Sequence, residues 1–232
     1  MISALQSNNA LLLGQYVNVL TGPVNGLSGP IVQFKGVNLQ LVDGSGTTDD
    51  NTTDWLGGTG TGTLTGLGNF VIGYDESPRP LSPCPRCGSH NLIVGPLHQF
   101  TSAGGLVAGF QNWGAGPFAS VSGGFNSIAS GNDASVSGGA SNVAAGKDSS
   151  ISGGNGSLAT GEDSSISGGA SNQASGSASS VSGGFVNVAS AVKSSVSGGE
   201  SNAANGDYSV VIGGYANSAS STFQIQPDGS SF

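Results

Sequence analysis

Ser120-Val121-Ser122-Gly123-Gly124 returns as Ser135-Val136-Ser137-Gly138-Gly139, then at residues 150–154, 165–169, 180–184 and 195–199, with residues 210–214 as a Val-Val-Ile-Gly-Gly variant. Its aliphatic residue falls at Val121, Val136, Ile151, Ile166, Val181, Val196 and Val211, fifteen apart without a slip. Two further columns keep the same step. One holds Ala129, Ala144, Ala159, Ala174, Ala189, Ala204 and Ala219; the other holds Ser127, Asn142, Ser157, Asn172, Asn187, Asn202 and Asn217. A unit copied at a fixed period is a repeat architecture, and the copies decide the fold.

Helix is the wrong period for this phrase. A glycine pair in each copy would cost a helix about 2 kcal/mol per repeat, and the β-branched residues stand where strands want them. Fifteen residues accommodate two short strands and the tight bends between them, with glycine at bends that need positive φ. Each repeat is therefore one coil of a parallel β-solenoid, each strand pairing with its copy about 4.8 Å above. The aliphatic and alanine columns face a narrow interior.

The register continues towards the N-terminus. Val107 and Ile93 extend the aliphatic column at spacings of fourteen, and Val71 lies twenty-two before Ile93, one coil plus an insertion placed within residues 76–89. This gives ten coils, a stack of about 45 Å at the usual strand spacing.

The phrase Ser-Val-Ser-Gly-Gly-x-x-Asn-x-Ala, at fourteen- and fifteen-residue spacing, resembles the head repeats of trimeric autotransporter adhesins of the YadA-like, Hep/Hag type. The resemblance covers roughly residues 68–220. It implies a left-handed parallel β-roll, three chains joined side by side as a homotrimer, and an adhesive role outside the cell. The chain differs from that pattern at Gly123 and its copies, where the family often has Ile, and shows no C-terminal membrane anchor.

Composition agrees with a slim interior. There are 42 glycines, and only 8% of residues are charged and 6% aromatic. Thirteen acidic against five basic residues give a net charge of −8, which disfavours nucleic acid and anionic membrane as partners. Neither a signal peptide nor a run of transmembrane length is read in the sequence. The expected localisation is extracellular or at the cell surface, with a virus-like particle as the alternative.

Four segments are expected: 1–19, 20–66, 67–220 and 221–232. Ile2, Leu5, Asn9, Leu12, Tyr16 and Val19 alternate three and four apart, the seam of a coiled-coil end, with Ile2, Leu5 and Leu12 as subunit contacts. Two short strands are expected around Gly36, from Val32 and Phe34 and from Val37, Leu39 and Leu41, forming a small neck. Asp43, Asp49, Asp50 and Asp54 are weak Ca²⁺ candidates, with a solvated loop preferred.

Cys84 and Cys87, in Pro-Cys-Pro-Arg-Cys-Gly, resemble half of a zinc ribbon, but only His90 and His98 could add ligands. Three readings stay open: a Cys84–Cys87 disulfide, favoured if the protein is extracellular, a dithiol, or a metal shared between chains. His90 is expected to satisfy a strand-end hydrogen bond.

Ile128, Val143, Leu158, Gln173, Val188, Ala203 and Ser218 lie between the Asn and Ala columns and must face outwards. Ile128, Val143, Leu158 and Val188 are the expected subunit contacts. Phe125, Phe185 and Tyr215 follow the glycines as exposed aromatics, and the Asn column is expected to hydrogen-bond to its own copies. Phe223 and Ile225 are expected to form a lid or a docking strand.

No serine is paired in sequence with a plausible base, so the chain reads as non-enzymatic and without cofactor. The expected function is a structural or adhesive homotrimeric head, stalk or fibre with an unknown receptor or matrix ligand, able to join end to end. The alternatives are a tail fibre of a phage or injection particle, and, more weakly, an ice-binding solenoid through the Ser120 and Ser122 rows.

Overall fold

The computed structural model describes residues 14–21, 30–42, 44–50, 52, 60–74, 76 and 84–227. The chain divides into two compact units, residues 1–40 and 41–232.

In the first unit Val17–Leu20 pairs antiparallel with Ile31–Phe34, placing Val19 opposite Val32. This corrects the coiled-coil expectation where it can be seen. Ile2, Leu5, Asn9 and Leu12 lie outside the described residues, while Tyr16 sits in a turn and Val19 in a strand. Val17, Asn18 and Val19 alternate as well as they match a heptad, and the β-branched Val17 and Val19, facing Phe34 and Val32, favour the strand. The hairpin also spans the expected boundary at residue 19. Of the two strands expected around Gly36, only the one holding Val32 and Phe34 forms; residues 37–42 are irregular. No helix occurs among the described residues.

The second unit is the solenoid. Its aliphatic residues run up a parallel sheet of eleven strands, from Phe70–Ile72 to Ile225–Gln226, and its alanines up one of nine, from Gln99–Phe100 to Ser218–Ala219. Val136 lies level with Val121 and Ile151, and Ala144 with Ala129 and Ala159. The N-terminal register holds too: Val71, Ile93, Val107 and Val121 succeed one another in the ladder.

Nine coils supply a strand to each sheet, one fewer than the ten expected. Where the first coil would enter the alanine sheet stands the Cys84–Gly88 turn. Pro85 has no N–H to give, and only its carbonyl and the Gly88 N–H bond Phe100, both at 2.9 Å. At the other end Ile225–Gln226 adds an eleventh strand to the aliphatic sheet, with Gln226 level with Val211. The expected lid is partly a further rung.

The interior is as thin as the sequence implies. From Ile93 to Val211 and from Ala129 to Ala219 every residue of the two columns is at most 1% exposed, whereas Val71 at the open end is 43% exposed. Fully burying a Val or Ile is worth about 1.5–3 kcal/mol, so the core of each coil rests on one such residue and one methyl. Phe100 occupies the alanine column one coil before Gly114, and a Cβ at Gly114 would stand 2.8 Å from Val107 Cγ2.

The buried Asn residues of this column demand partners. Asn172 Nδ2 donates to the carbonyls of Gly168 and Gly184, and its Oδ1 accepts the Asn187 N–H at 2.9 Å. Each amide thus bonds the next copy in its column, as expected, but through that copy's backbone N–H and not its side chain, which stitches coil to coil. A second amide ladder, missed in the sequence, heads another interior column: Asn69 Oδ1 accepts Asn91 N–H, and Asn91 Oδ1 accepts Gly105 N–H, both at 2.8 Å.

Beside the first coil, Asp50 is 3% exposed. Its carboxylate accepts the Thr65 N–H and the Ser89 hydroxyl, each at 2.5 Å, and the Ser45 hydroxyl at 3.2 Å. A buried carboxylate so supplied ties the 44–52 loop to residues 65 and 89.

Candidate interaction surface

Each two-residue strand of the alanine sheet alternates outward and inward, leaving one column half-buried on the outer face. Gln99 begins it, Trp113 follows level with Ile128, and Val143, Leu158, Gln173, Val188, Ala203 and Ser218 continue in register. The apolar character runs from Trp113 to Val188, broken once by Gln173. Trp113 Nε1 donates to Thr101 at 3.1 Å, which satisfies its polar edge and leaves the ring to extend the stripe. A straight apolar stripe on an unbroken sheet is a surface that another protein can cover.

The aliphatic sheet presents the opposite chemistry. Ser120, Ser135, Ser150, Ser165, Ser180 and Ser195 form one partly exposed row, and Ser122 and its copies an exposed second row. Ser180 donates to Ser195 at 3.1 Å. Larger residues bound these rows, with Leu92 and Leu106 before them and Val210 and Ile225 beyond.

Aromatics mark the bends. Phe110 and Phe125 stack with centroids 5.6 Å apart, and Phe185 and Tyr215 stand exposed further along. At another bend Lys193 lies 5.2 Å from the Tyr208 ring, which stacks on Phe223 at 5.0 Å. Phe223 and Ile225 remain 71% and 66% exposed, so this terminal rung keeps an apolar outer surface.

Among the described residues no three His, Cys, Asp or Glu side chains come together as a metal-binding group. Asp43 and Asp54 lie outside those residues, and the Asp50 oxygens are taken by hydrogen-bond donors, which corrects the weak Ca²⁺ reading there. His98 is fully buried and spends both ring nitrogens on the backbone, Nε2 against the Val94 carbonyl at 3.0 Å and Nδ1 accepting the Asn112 N–H at 3.2 Å. His90 Nδ1 lies 3.7 Å from Asp50.

Ser, His and Asp meet around Asp50, yet the order is wrong for a nucleophile. Ser89 gives its proton to Asp50, and both are buried beyond the reach of a substrate. Cys84 and Cys87 are thiols on an exposed turn, Cys87 donating to the Cys84 carbonyl at 3.1 Å. No helix of the described residues is long and apolar enough to cross a membrane.

The sequence located the apolar stripe and missed Trp113 at its head. Trp113 lies fifteen before Ile128, a signal present but masked by the shorter coils. Compared with known proteins, the chain matches no family model and no curated sequence.

Proposed function

We propose that this chain is a structural, non-enzymatic β-solenoid that works as a homotrimeric head, stalk or fibre unit. The observation that carries this reading is the stripe from Trp113 to Val188 on the outer face of the alanine sheet. A second copy of the same stripe matches it coil for coil, because both repeat at the strand spacing. Three chains cover one another's stripes about a common axis and thicken a rod whose own interior is one side chain wide. The resemblance to trimeric adhesin heads supports the same stoichiometry, an extracellular or cell-surface location and an adhesive role towards an unidentified receptor or matrix. A tail fibre of a phage or injection particle would use the same geometry, and the exposed Phe223 and Ile225 rung offers a surface for end-to-end joining.

The test is mass in solution. Sedimentation equilibrium should return three chains for the unaltered protein, and Leu158→Lys should return one chain with an unchanged far-UV spectrum. A stable monomer of the unaltered chain sinks the proposal. The paired serine rows favour one second reading, ice binding by the aliphatic sheet. Thermal hysteresis absent at millimolar protein removes it.

A further inference from the structure

We propose that Cys84 and Cys87 are half of a zinc site completed by the same pair from a second copy, joining two molecules at the Cys84–Gly88 turn. Two thiols separated by two residues on a Pro-Arg turn are the ligand spacing of structural zinc knuckles. The Cys87 sulfhydryl donates to the Cys84 carbonyl at 3.1 Å, folding its sulfur back over the turn.

The turn is fixed before any metal arrives. Pro85 and Gly88 bond Phe100 on either side at 2.9 Å. Arg86 donates from Nε to the His98 carbonyl at 3.3 Å and from Nη2 to the Glu76 carbonyl at 2.5 Å. A clamped backbone loses little freedom when the sulfurs coordinate.

Position and charge both point to a partner. The turn lies next to Gln99–Phe100, the end strand of the alanine sheet, and among the described residues no further strand of that sheet lies beyond it, with Gly66 beside Cys87 and Asn69 Nδ2 donating to the Gly88 carbonyl at 2.8 Å. Cys84 is exposed and Cys87 partly so, and the turn can be approached from outside. The chain's own histidines are engaged elsewhere: His98 with Val94 and Asn112, His90 beside Asp50. Two thiolates per chain make an open site, and a closed structural one needs four ligands. The chain has only two cysteines, so a second chain must supply the rest. Four thiolates around one Zn²⁺ leave two negative charges, which the two Arg86 guanidiniums balance.

In forming the site four thiols release their protons to solvent and make four zinc–sulfur bonds, with no redox change. Zinc competes with those four protons, so binding strengthens as pH rises and fails on acidification.

The experiment uses the full chain, reduced and freed of metal, with zinc chloride as the probe. The expected result is one zinc per two chains and a twofold rise in mass over the metal-free assembly, reversed by chelator. Cobalt in its place should give the absorption of a tetrahedral tetrathiolate. Cys84→Ser and Cys87→Ser should each abolish binding and the mass change while leaving the circular dichroism unaltered. One zinc per chain, no change in mass, binding retained in Cys84→Ser, or a reduced protein that takes no zinc and reoxidises to a Cys84–Cys87 disulfide would each overturn the proposal. It does not depend on trimer formation: Leu158→Lys, which tests the stripe, should still bind half a zinc per chain.

Discussion

Gly138 and Gly139 are neighbours under different constraints. Gly139 has φ +82°, and a Cβ there would stand 2.1 Å from the Gly154 carbonyl oxygen, whereas a Cβ on Gly138 would meet nothing within 4 Å. A third column is also demanding: a Cβ at Gly146 would lie 2.0 Å from the Gly161 oxygen. Gly146→Ala should therefore cost about 3 kcal/mol, the upper end for overpacking, because the atom in the way is backbone. Gly138→Ala should change stability by no more than about 0.5 kcal/mol, the usual range for open surface positions. Urea midpoints at constant slope check both. Buried hydroxyls give the opposite sign. Ser149, Ser164, Ser179 and Ser209 are buried with no partner for Oγ, in a column that holds Ala119 and Ala134 in earlier coils. Ser164→Ala should raise stability by about 1 kcal/mol, the cost of a polar group left unsatisfied, seen as a higher urea midpoint; a lower midpoint would show that the hydroxyl has found a partner.

The amide ladder is the element that binds coil to coil, and His98 belongs to it. Its Nε2 meets the carbonyl four residues back, as Asn112 Nδ2 meets Ala108, and its Nδ1 accepts the next coil's N–H, as Asn112 Oδ1 accepts Ser127. His98→Asn should thus fold with stability within about 1 kcal/mol, as expected where hydrogen bonds are replaced in kind, whereas His98→Ala should lose about 3 kcal/mol through two orphaned groups. Thermal denaturation of the two variants side by side tests the equivalence; an equal loss in both would refute it. The comparison shows what sequence could and could not reveal. Strand faces and register follow from period alone, because a one-residue slip turns every side chain over, and so Val121 to Val211 and their alanines were legible. The atoms that pair were not, since an Asn column has the same spelling whether it meets its copies through their side chains or through their backbone N–H groups. At Tyr16 and Val19, the described part of the heptad, the structure differs because three-four spacing over few residues contains alternation within it. The apolar stripe was readable as outward-facing, but its Trp113 head was hidden by a change of coil length.

For the molecule as a whole, that change of length has a simple cause. Gly109 sits where Gly124 sits, its absent Cβ aimed at the Gly124 oxygen at 2.5 Å, and the coil from Val107 to Val121 has a single glycine at the bend. The fifteenth residue is thus the first glycine of each later pair, where a Cβ would meet only the Ser137 oxygen at 3.7 Å from Gly123 and nothing within 4 Å in the later copies. Removing Gly153 alone should leave a folded solenoid with one fourteen-residue coil, and excising residues 151–165 should leave one that is a coil shorter. Deleting Thr160 instead shortens the seven-residue step from Ala159 to Ile166 and turns side chains to the wrong face. Circular dichroism and limited proteolysis distinguish these outcomes; a Thr160 deletion as resistant as the Gly153 deletion would contradict the assignment of the fifteenth residue. The unbroken run from Val121 to Val211 carries a further consequence at the level of the gene. Unequal recombination between copies adds or drops fifteen codons at a stroke, preserving both reading frame and rung alignment, so selection can lengthen or trim the rod without having to reinvent it.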